Sequence, residues 1–335
     1  MAKILDGKTI LVTGGTGSFG HHFVDYVLAN YKPKKIIIYS RDEFKQWQMS
    51  ERYRDYKDVL RFFIGDIRDL ERLKRALSGV DYVIHAAALK QVPACEYNPN
   101  EAIKTNILGA MNIIEACLDT GVKKAVALST DKAAHPINLY GGTKFVSDKL
   151  FCAANAYSGD KGTIFSCVRY GNVAGSRGSV IPFFKQIIEN GGDTLPITDY
   201  RMTRFWINLN QGVELVIKAL SDSRGGEVFI SKIPSFKITD LAKAMAPRLK
   251  TKEVGIREGE KLHEIMITPD DSVRTYEYKK NYIIYPNYDW YDLKKNIIPG
   301  GKLVEPGFEY SSGNNKEWLT VAELRKRLKT DLDNH

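Results

Sequence analysis

The chain has 335 residues, 43% hydrophobic and 27% charged, an ordinary soluble globular composition with room for one large domain or two modest ones. Its net charge of +9 is spread along the chain among interspersed acids, so no basic stripe for nucleic acid is expected. No apolar run approaches the roughly 18 residues of a membrane span. The four cysteines (Cys95, Cys117, Cys152, Cys167) lack the C-x-x-C spacing of a zinc site or a disulfide framework, so no metal is expected. Met1 to Asp6 runs straight into a strand without a leader's apolar stretch, and a reducing cytoplasm is the expected setting.

Residues 8–13 form a β-branched apolar run that predicts a buried parallel strand. It ends at Thr13 and enters Gly14-Gly15-Thr16-Gly17-Ser18-Phe19-Gly20, followed by a helix over 21–30. Strand, glycine turn and helix make the opening of a dinucleotide site. The glycines let the backbone approach a pyrophosphate, which sits at the helix N-terminus where amide donors favour anions. The spacing is G-x-x-G-x-x-G rather than G-x-G-x-x-G. A second strand, 35–39, ends in Ser40-Arg41-Asp42. Arg41 with Ser40 suits the 2′-phosphate of NADP, whereas Asp42 would suit the ribose of NAD or cap the next helix.

A third strand over 60–64 leads to Asp66 and Ile67, where Asp66 either meets the adenine or caps. A fourth, 81–85, runs into Ala86-Ala87-Ala88, small enough to let a cofactor close, with Lys90 just beyond. His85 reads as a packed strand-end histidine. Residues 100–120 predict one long helix, interrupted in polarity by Thr105 and Asn106; Asn106 would hold a water or the backbone near the fifth strand, 125–129. Five strands alternating with helices, and a sixth at 164–169, predict a doubly wound parallel α/β (Rossmann) sheet over 1–170. The glycine-rich loop 170–179 opens a smaller α/β substrate lobe over 171–335, some of whose segments return to the first domain.

The fifth strand delivers Ser129-Thr130-Asp131-Lys132, and the following helix carries Tyr140 and Lys144 one turn apart on one face. A phenol transfers protons poorly at its usual pKa of about 10. Lys144 and a nicotinamide ring would favour the phenolate, letting Tyr140 take a hydroxyl proton as the carbon gives up hydride. Asp131 and Lys132 add an acid and a base, which oxidation alone does not require. Once C4 of a hexose is a ketone, the C5 proton is acidic and the C6 hydroxyl can leave. Asp131, protonated, would give a proton to the departing oxygen, and Lys132, neutral, would take the C5 proton. An ion pair or a helix cap is the structural alternative.

Thr13 to Gly20 with Tyr140-x-x-x-Lys144 resembles the extended short-chain dehydrogenase/reductase superfamily. The runs 39–43, 96–100, 129–133, 169–173 and 201–206 narrow the resemblance to the soluble, C5-inverting UDP-N-acetylglucosamine 4,6-dehydratases that begin pseudaminic acid biosynthesis. That resemblance implies tightly held NADP, a hydro-lyase acting on UDP-N-acetylglucosamine, a hexameric assembly, and Asp131, Lys132, Tyr140 and Lys144 as catalytic. Lys45, Ile67, Ser129, Tyr170 and Asn172 join the expected cofactor set. Lys90, Thr130, Asn172, Val180, Arg204, Arg257 and Glu260 form the expected sugar-nucleotide set, with an Arg257–Glu260 ion pair as the alternative for the last two. A C5-retaining dehydratase, a C4 epimerase and a non-catalytic NADP sensor are the rivals.

Overall fold

Thr9–Thr13 (β1) is buried along its whole length, as a strand covered on both faces must be. In the computed structural model, which describes residues 3–159, 162–175 and 179–331, it is followed by Ser18–Asn30 (α1), Lys35–Ser40 (β2), Glu43–Arg52 (α2), Leu60–Ile64 (β3), Leu70–Leu77 (α3) and Tyr82–His85 (β4). After Val92–Tyr97 (α4) and Pro99–Ile103 (α5), the helix loosens into a π turn over Lys104–Leu108 and resumes as Gly109–Thr120 (α6). The single helix expected over 100–120 is therefore broken. The wider turn inserts one residue and rotates α6 relative to α5, which directs the buried Thr105 and Asn106 inward. Lys124–Thr130 (β5), Leu139–Ala153 (α7) and Ile164–Tyr170 (β6) complete the first half.

The strand order β3-β2-β1-β4-β5-β6 is parallel throughout and reverses direction of growth between β1 and β4. A ligand crevice forms at such a switch point, outside the carboxyl ends of the strands. The sheet then exceeds the six strands expected. Val228–Ser231 joins β6 in parallel, and Asn281–Ile284, Thr275–Glu277 and Lys302–Leu303 extend the edge antiparallel, to ten strands.

Two apolar layers cover the sheet. One face packs Phe23, Val27, Val213 and Val216 against Val12 and Val126; the other packs Leu73, Ile113 and Phe151 against Leu11 and Ala125. Each large buried side chain there contributes about 1.5–3 kcal/mol. A third cluster around Phe184, Trp206, Leu241 and Leu324 is the core of the lobe above the strand ends. No helix among the described residues is long and apolar enough to cross a membrane.

Candidate active site

The loops at the carboxyl ends of the parallel strands and the lobe above them enclose a cleft of about 1400 Å³. Its floor at one end is the glycine turn. Gly14 has φ +63°, and a Cβ there would lie 2.9 Å from Ala87 Cα, so the turn and the alanine strand tip close only on glycine. Gly20 lies behind the cleft surface: a Cβ would come within 2.0 Å of the Gly15 carbonyl oxygen, so it sets how closely α1 approaches the turn. Gly17 caps α1 without a side-chain acceptor, and no acid stands in the first turn. The helix amides there thus face the cleft with no carboxylate competing, which fits a pyrophosphate. Thr16, Ser18 and Phe19 line the same wall.

Thr13 does not reach the cleft. Its Oγ accepts from Ala86 N at 3.1 Å and Ala87 N at 3.2 Å, leaving its hydrogen for His85 Nδ1 at 2.9 Å. It ties the tips of β1 and β4 together. His85 is buried against Phe151 and pushed down to about 3 by burial and then by Lys144, so it stays neutral and structural.

At the tip of β2, Ser40, Arg41, Asp42 and Lys45 line the cleft. Asp42 caps α2 by accepting from Lys45 N at 2.9 Å and pairs with Lys45 Nζ at 2.7 Å. Arg41 is 55% exposed and reaches only as far as Asp66, at 3.6 Å. Asp66 does not cap a helix; Asp69 caps α3, while Asp66 is held by Arg68 at 2.7 Å. Ile67, Ala88 and Lys90 continue the wall. Asn106 lies behind it. It donates to Leu89 O at 2.9 Å and Thr143 Oγ at 3.0 Å and accepts from Leu89 N at 2.8 Å, so it fixes backbone between β4 and α7 and does not face the cleft.

The centre of the cleft gathers Thr130, Lys132, Tyr140, Lys144, Tyr170 and Asn172. Ser129 holds the lower layer by donating to Asp148 at 2.7 Å. Lys132 Nζ lies 3.1 Å from Asp131 Oδ1, 3.3 Å from Asn172 Oδ1 and 3.3 Å from Glu264 Oε1. Asp131 is 1% exposed and sits behind the wall, where Thr130 donates to its Oδ1 at 2.8 Å and its Oδ2 has no partner.

Burial, reinforced by Glu264, raises the Asp131 carboxyl against the opposing pull of Lys132 and Thr130, which favours the protonated acid. Lys132 departs from the sequence expectation of a neutral amine. Burial pulls it down, but Asp131 and Glu264 outweigh burial and hold it above the ordinary lysine range as an ammonium. Tyr140 also departs. Burial pushes its phenol up to about 12, and the groups that draw it back are Lys132 and the Thr130 hydroxyl. Lys144, expected from sequence to be the cation acting on the phenol, is buried and pulled down by that burial, with Asp148 opposing.

Across the cleft stand Val180, Arg204, Arg257 and Glu260. Arg204 is buried, donating to Thr203 O at 2.7 Å and Leu262 O at 3.2 Å, with Nε 3.5 Å from Glu264 Oε1. Arg257 is exposed and Glu260 half-buried, and among the described residues no ion pair joins them. Of the loop 170–179, residues 176–178 lie outside the described residues. Sequence reasoning missed Glu264. It stands 132 residues from Lys132 in a stretch rich in charge, and only the fold brings it within 3.3 Å.

The chain matches the model of a family described as polysaccharide biosynthesis protein over residues 10–286. It is 56% identical, over 99% of both chains, to a Campylobacter jejuni subsp. jejuni (serotype O:23/36, strain 81-176) protein named UDP-N-acetylglucosamine 4,6-dehydratase (inverting). It is 40% identical, over 96% of both, to a Rickettsia akari protein named UDP-glucose 4-epimerase. Among solved structures, Pen from Bacillus thuringiensis matches with TM-score 0.87 and 37% identity over 97% of this chain and 99% of that one. A dTDP-glucose 4,6-dehydratase from Streptomyces venezuelae, with NAD and TYD bound, matches with TM-score 0.66 and 25% identity over 76% and 86%.

Proposed function

The chain belongs to the polysaccharide biosynthesis protein family, within the extended short-chain dehydrogenase/reductase superfamily, and we propose that it is a UDP-N-acetylglucosamine 4,6-dehydratase that inverts C5. The observation that carries this reading is the Asp131–Lys132 pair, 3.1 Å apart at the wall of a dinucleotide cleft that Tyr140 shares. The high identity to the C. jejuni enzyme supports both the substrate and the inversion. The product is UDP-2-acetamido-2,6-dideoxy-β-L-arabino-hex-4-ulose, destined for pseudaminic acid synthesis in the cytoplasm, and the working form is a hexamer.

A bound nicotinamide cofactor supplies the hydride acceptor for C4 and the donor for C6. Tyr140 takes the C4 hydroxyl proton, aided by Lys132 and Thr130, which oppose the rise that burial imposes on its phenol. Lys144 binds the nicotinamide ribose from inside the wall. Asp131, whose carboxyl burial raises, is the acid for the departing C6 oxygen, with Thr130 donating to its Oδ1 at 2.8 Å from the cleft wall. Lys132 is the base assigned to the C5 proton, a role that requires its amine form against the pull of Asp131 and Glu264. Arg204 and Arg257 are suited to the diphosphate because a guanidinium makes paired, charge-assisted bonds to phosphate oxygens; Lys90, Asn172, Val180 and Glu260 surround the sugar nucleotide.

NADP is the cofactor this geometry favours. Asp42 is already engaged by its cap and by Lys45, whereas Arg41 projects toward solvent at the β2 tip where a 2′-phosphate would lie. The test is proton NMR of UDP-N-acetylglucosamine turnover in deuterated water, with mass analysis of the cofactor released on denaturation. A C6 methyl signal with the L-arabino coupling pattern, and NADP released, are expected. A C4 epimer alone would favour the reading suggested by the R. akari relative and overturn the dehydratase.

A further inference from the structure

Inversion at C5 sets a demand that elimination alone does not. The proton lost from C5 leaves on one face of the ring, and the proton gained must arrive on the other. Lys132 is held by three partners, Asp131 at 3.1 Å and Asn172 and Glu264 at 3.3 Å, so it serves one face only. A second proton source must come from a different wall of the cleft.

The lobe brings one. The loop between the strands Lys250–Glu253 and Ile265–Ile267 crosses the start of α7 and is fixed at two points. Near its middle, Gly259 O accepts from Asn138 Nδ2 at 2.8 Å, and Asn138 is also the residue that caps α7. At its end, Glu264 N donates to Ser312 Oγ at 2.9 Å, and Ser312 N donates to Glu264 O at 2.8 Å. Between these clamps stands Lys261, half-buried and lining the cleft. Its Nζ donates to Ala134 O at 2.6 Å, just past the turn that carries Asp131 and Lys132. Glu264 spends its ion pairs on Lys132 and Arg204, and among the described residues no carboxylate pairs with Lys261. An ammonium has donors to spare beyond one carbonyl.

We propose that Lys261 is the acid that protonates C5 from the lobe side and so sets the inverted configuration. This assignment rests on the dehydratase reading. Once C6 has received its hydride, the sugar is an enolate whose charge is shared between the C4 oxygen and C5. A Lys261 N–H bond breaks, its electrons staying on nitrogen, and the enolate pair forms the new C5–H bond as the C4 carbonyl is restored. Lys261 is left neutral and regains a proton from water at its exposed side. The C4 hydroxyl proton taken by Tyr140 passes to solvent, so the cycle closes without net gain or loss of protons. Burial draws the Lys261 ammonium down against the opposing pull of Glu264 and Asp131, so it releases its proton more readily than a lysine in water.

The test compares wild type, Lys261→Met and Lys261→Arg with UDP-N-acetylglucosamine, reading kcat, KM, bound cofactor and, by proton NMR at early times, the C5 configuration of the 6-deoxy product. Lys261→Met is expected to keep its cofactor and KM within about twofold while kcat falls on the order of a hundredfold, the scale of general acid–base catalysis. Its product should contain both C5 epimers, because water then protonates the enolate from either face. Lys261→Arg keeps a positive charge but not a proton it can release. It should lose stereocontrol in the same way and recover less than about tenfold of kcat on the same scale. A Met variant that still gives the L-arabino product alone, or one impaired only in KM or cofactor content, overturns the assignment. An Arg variant with wild-type rate and stereochemistry overturns it too, by reducing Lys261 to a fixed charge. If Lys261→Met does not fold, Lys261→Arg decides on the same readings. Failure of the wild type itself to form a C6 methyl group would instead remove the dehydratase reading, and a wild-type product retaining C5 would remove the inversion; this assignment goes with either.

Discussion

The two sides of the cleft are built by different means. On the cofactor side, steric fit does the work: a positive-φ glycine against Ala87, a second glycine against the Gly15 carbonyl, and Thr13 tying two strand tips. On the substrate side, charge does it. Asp131, Lys132, Glu264 and Arg204 form a buried chain with contacts of 3.1, 3.3 and 3.5 Å. The glycine contacts tolerate changes of pH and salt because neither the glycines nor the backbone they meet ionises. A buried charge chain is poised, and removal of one member leaves the others uncompensated.

The sharpest probe of that contrast is Lys132→Ala. Turnover should fall about a thousandfold, within the range of a lost general base, while cofactor stays bound. The variant also leaves Asp131 and Glu264 buried without their shared cation, at a cost of about 3–5 kcal/mol near neutral pH. Carboxyls so placed have folded-state pKa values raised above their unfolded ones, so the folded protein binds more protons and stability falls as pH rises. Denaturant unfolding should therefore show the variant closest to wild type in mild acid and furthest from it between neutral pH and about pH 10, where wild-type Lys132 is still charged. A pH-independent deficit would break the comparison.

Gly20→Ala probes the opposite side. The added methyl meets backbone, not a flexible side-chain end, so a loss of about 3 kcal/mol is expected from overpacking. Thermal unfolding should show the same deficit across pH and salt. The smallest effect belongs to Asp42→Ala, which removes the side-chain cap of α2. It should leave the cofactor content of the purified protein unchanged. Loss of cofactor in that variant would mean that Asp42 grips a ribose and that NAD is the natural partner.

The steric side was legible in the sequence because it is local. Strand, glycine turn and helix occupy residues 9–30; the positive φ at Gly14 and the approach of Gly20 to Gly15 belong to that local order, while the contact of Gly14 with Ala87 does not. His85 was legible too, as a strand-end side chain with an apolar neighbour. The charge side was only half legible. Asp131 and Lys132 announce an acid and a base, but their protonation depends on Glu264, which arrives from another lobe. Helical spacing alone pairs Lys144 with Tyr140. In the fold, burial dominates both groups, and the cation acting on the phenol is Lys132. Likewise Asn106 stands out in the sequence as a polar interruption, but its partners Leu89 and Thr143 are distant in the chain and only the fold brings them to the π turn. The sheet's extra strands share no local signal with the alternating pattern before them, because three of the four pair antiparallel and all come after the lobe has begun.

The clamp on Glu264 ties the chemistry to the order of synthesis. The six strands that frame the dinucleotide crevice have all been made by residue 170, whereas the hydroxyl that fixes Glu264 belongs to residue 312. At a translation speed of about 5–20 residues per second, those two events are separated by many seconds. During that interval a nascent chain has the strands of the crevice but not the second carboxylate that pairs with Lys132. An interrupted copy would therefore carry Asp131 and Lys132 without the third member of their charge chain.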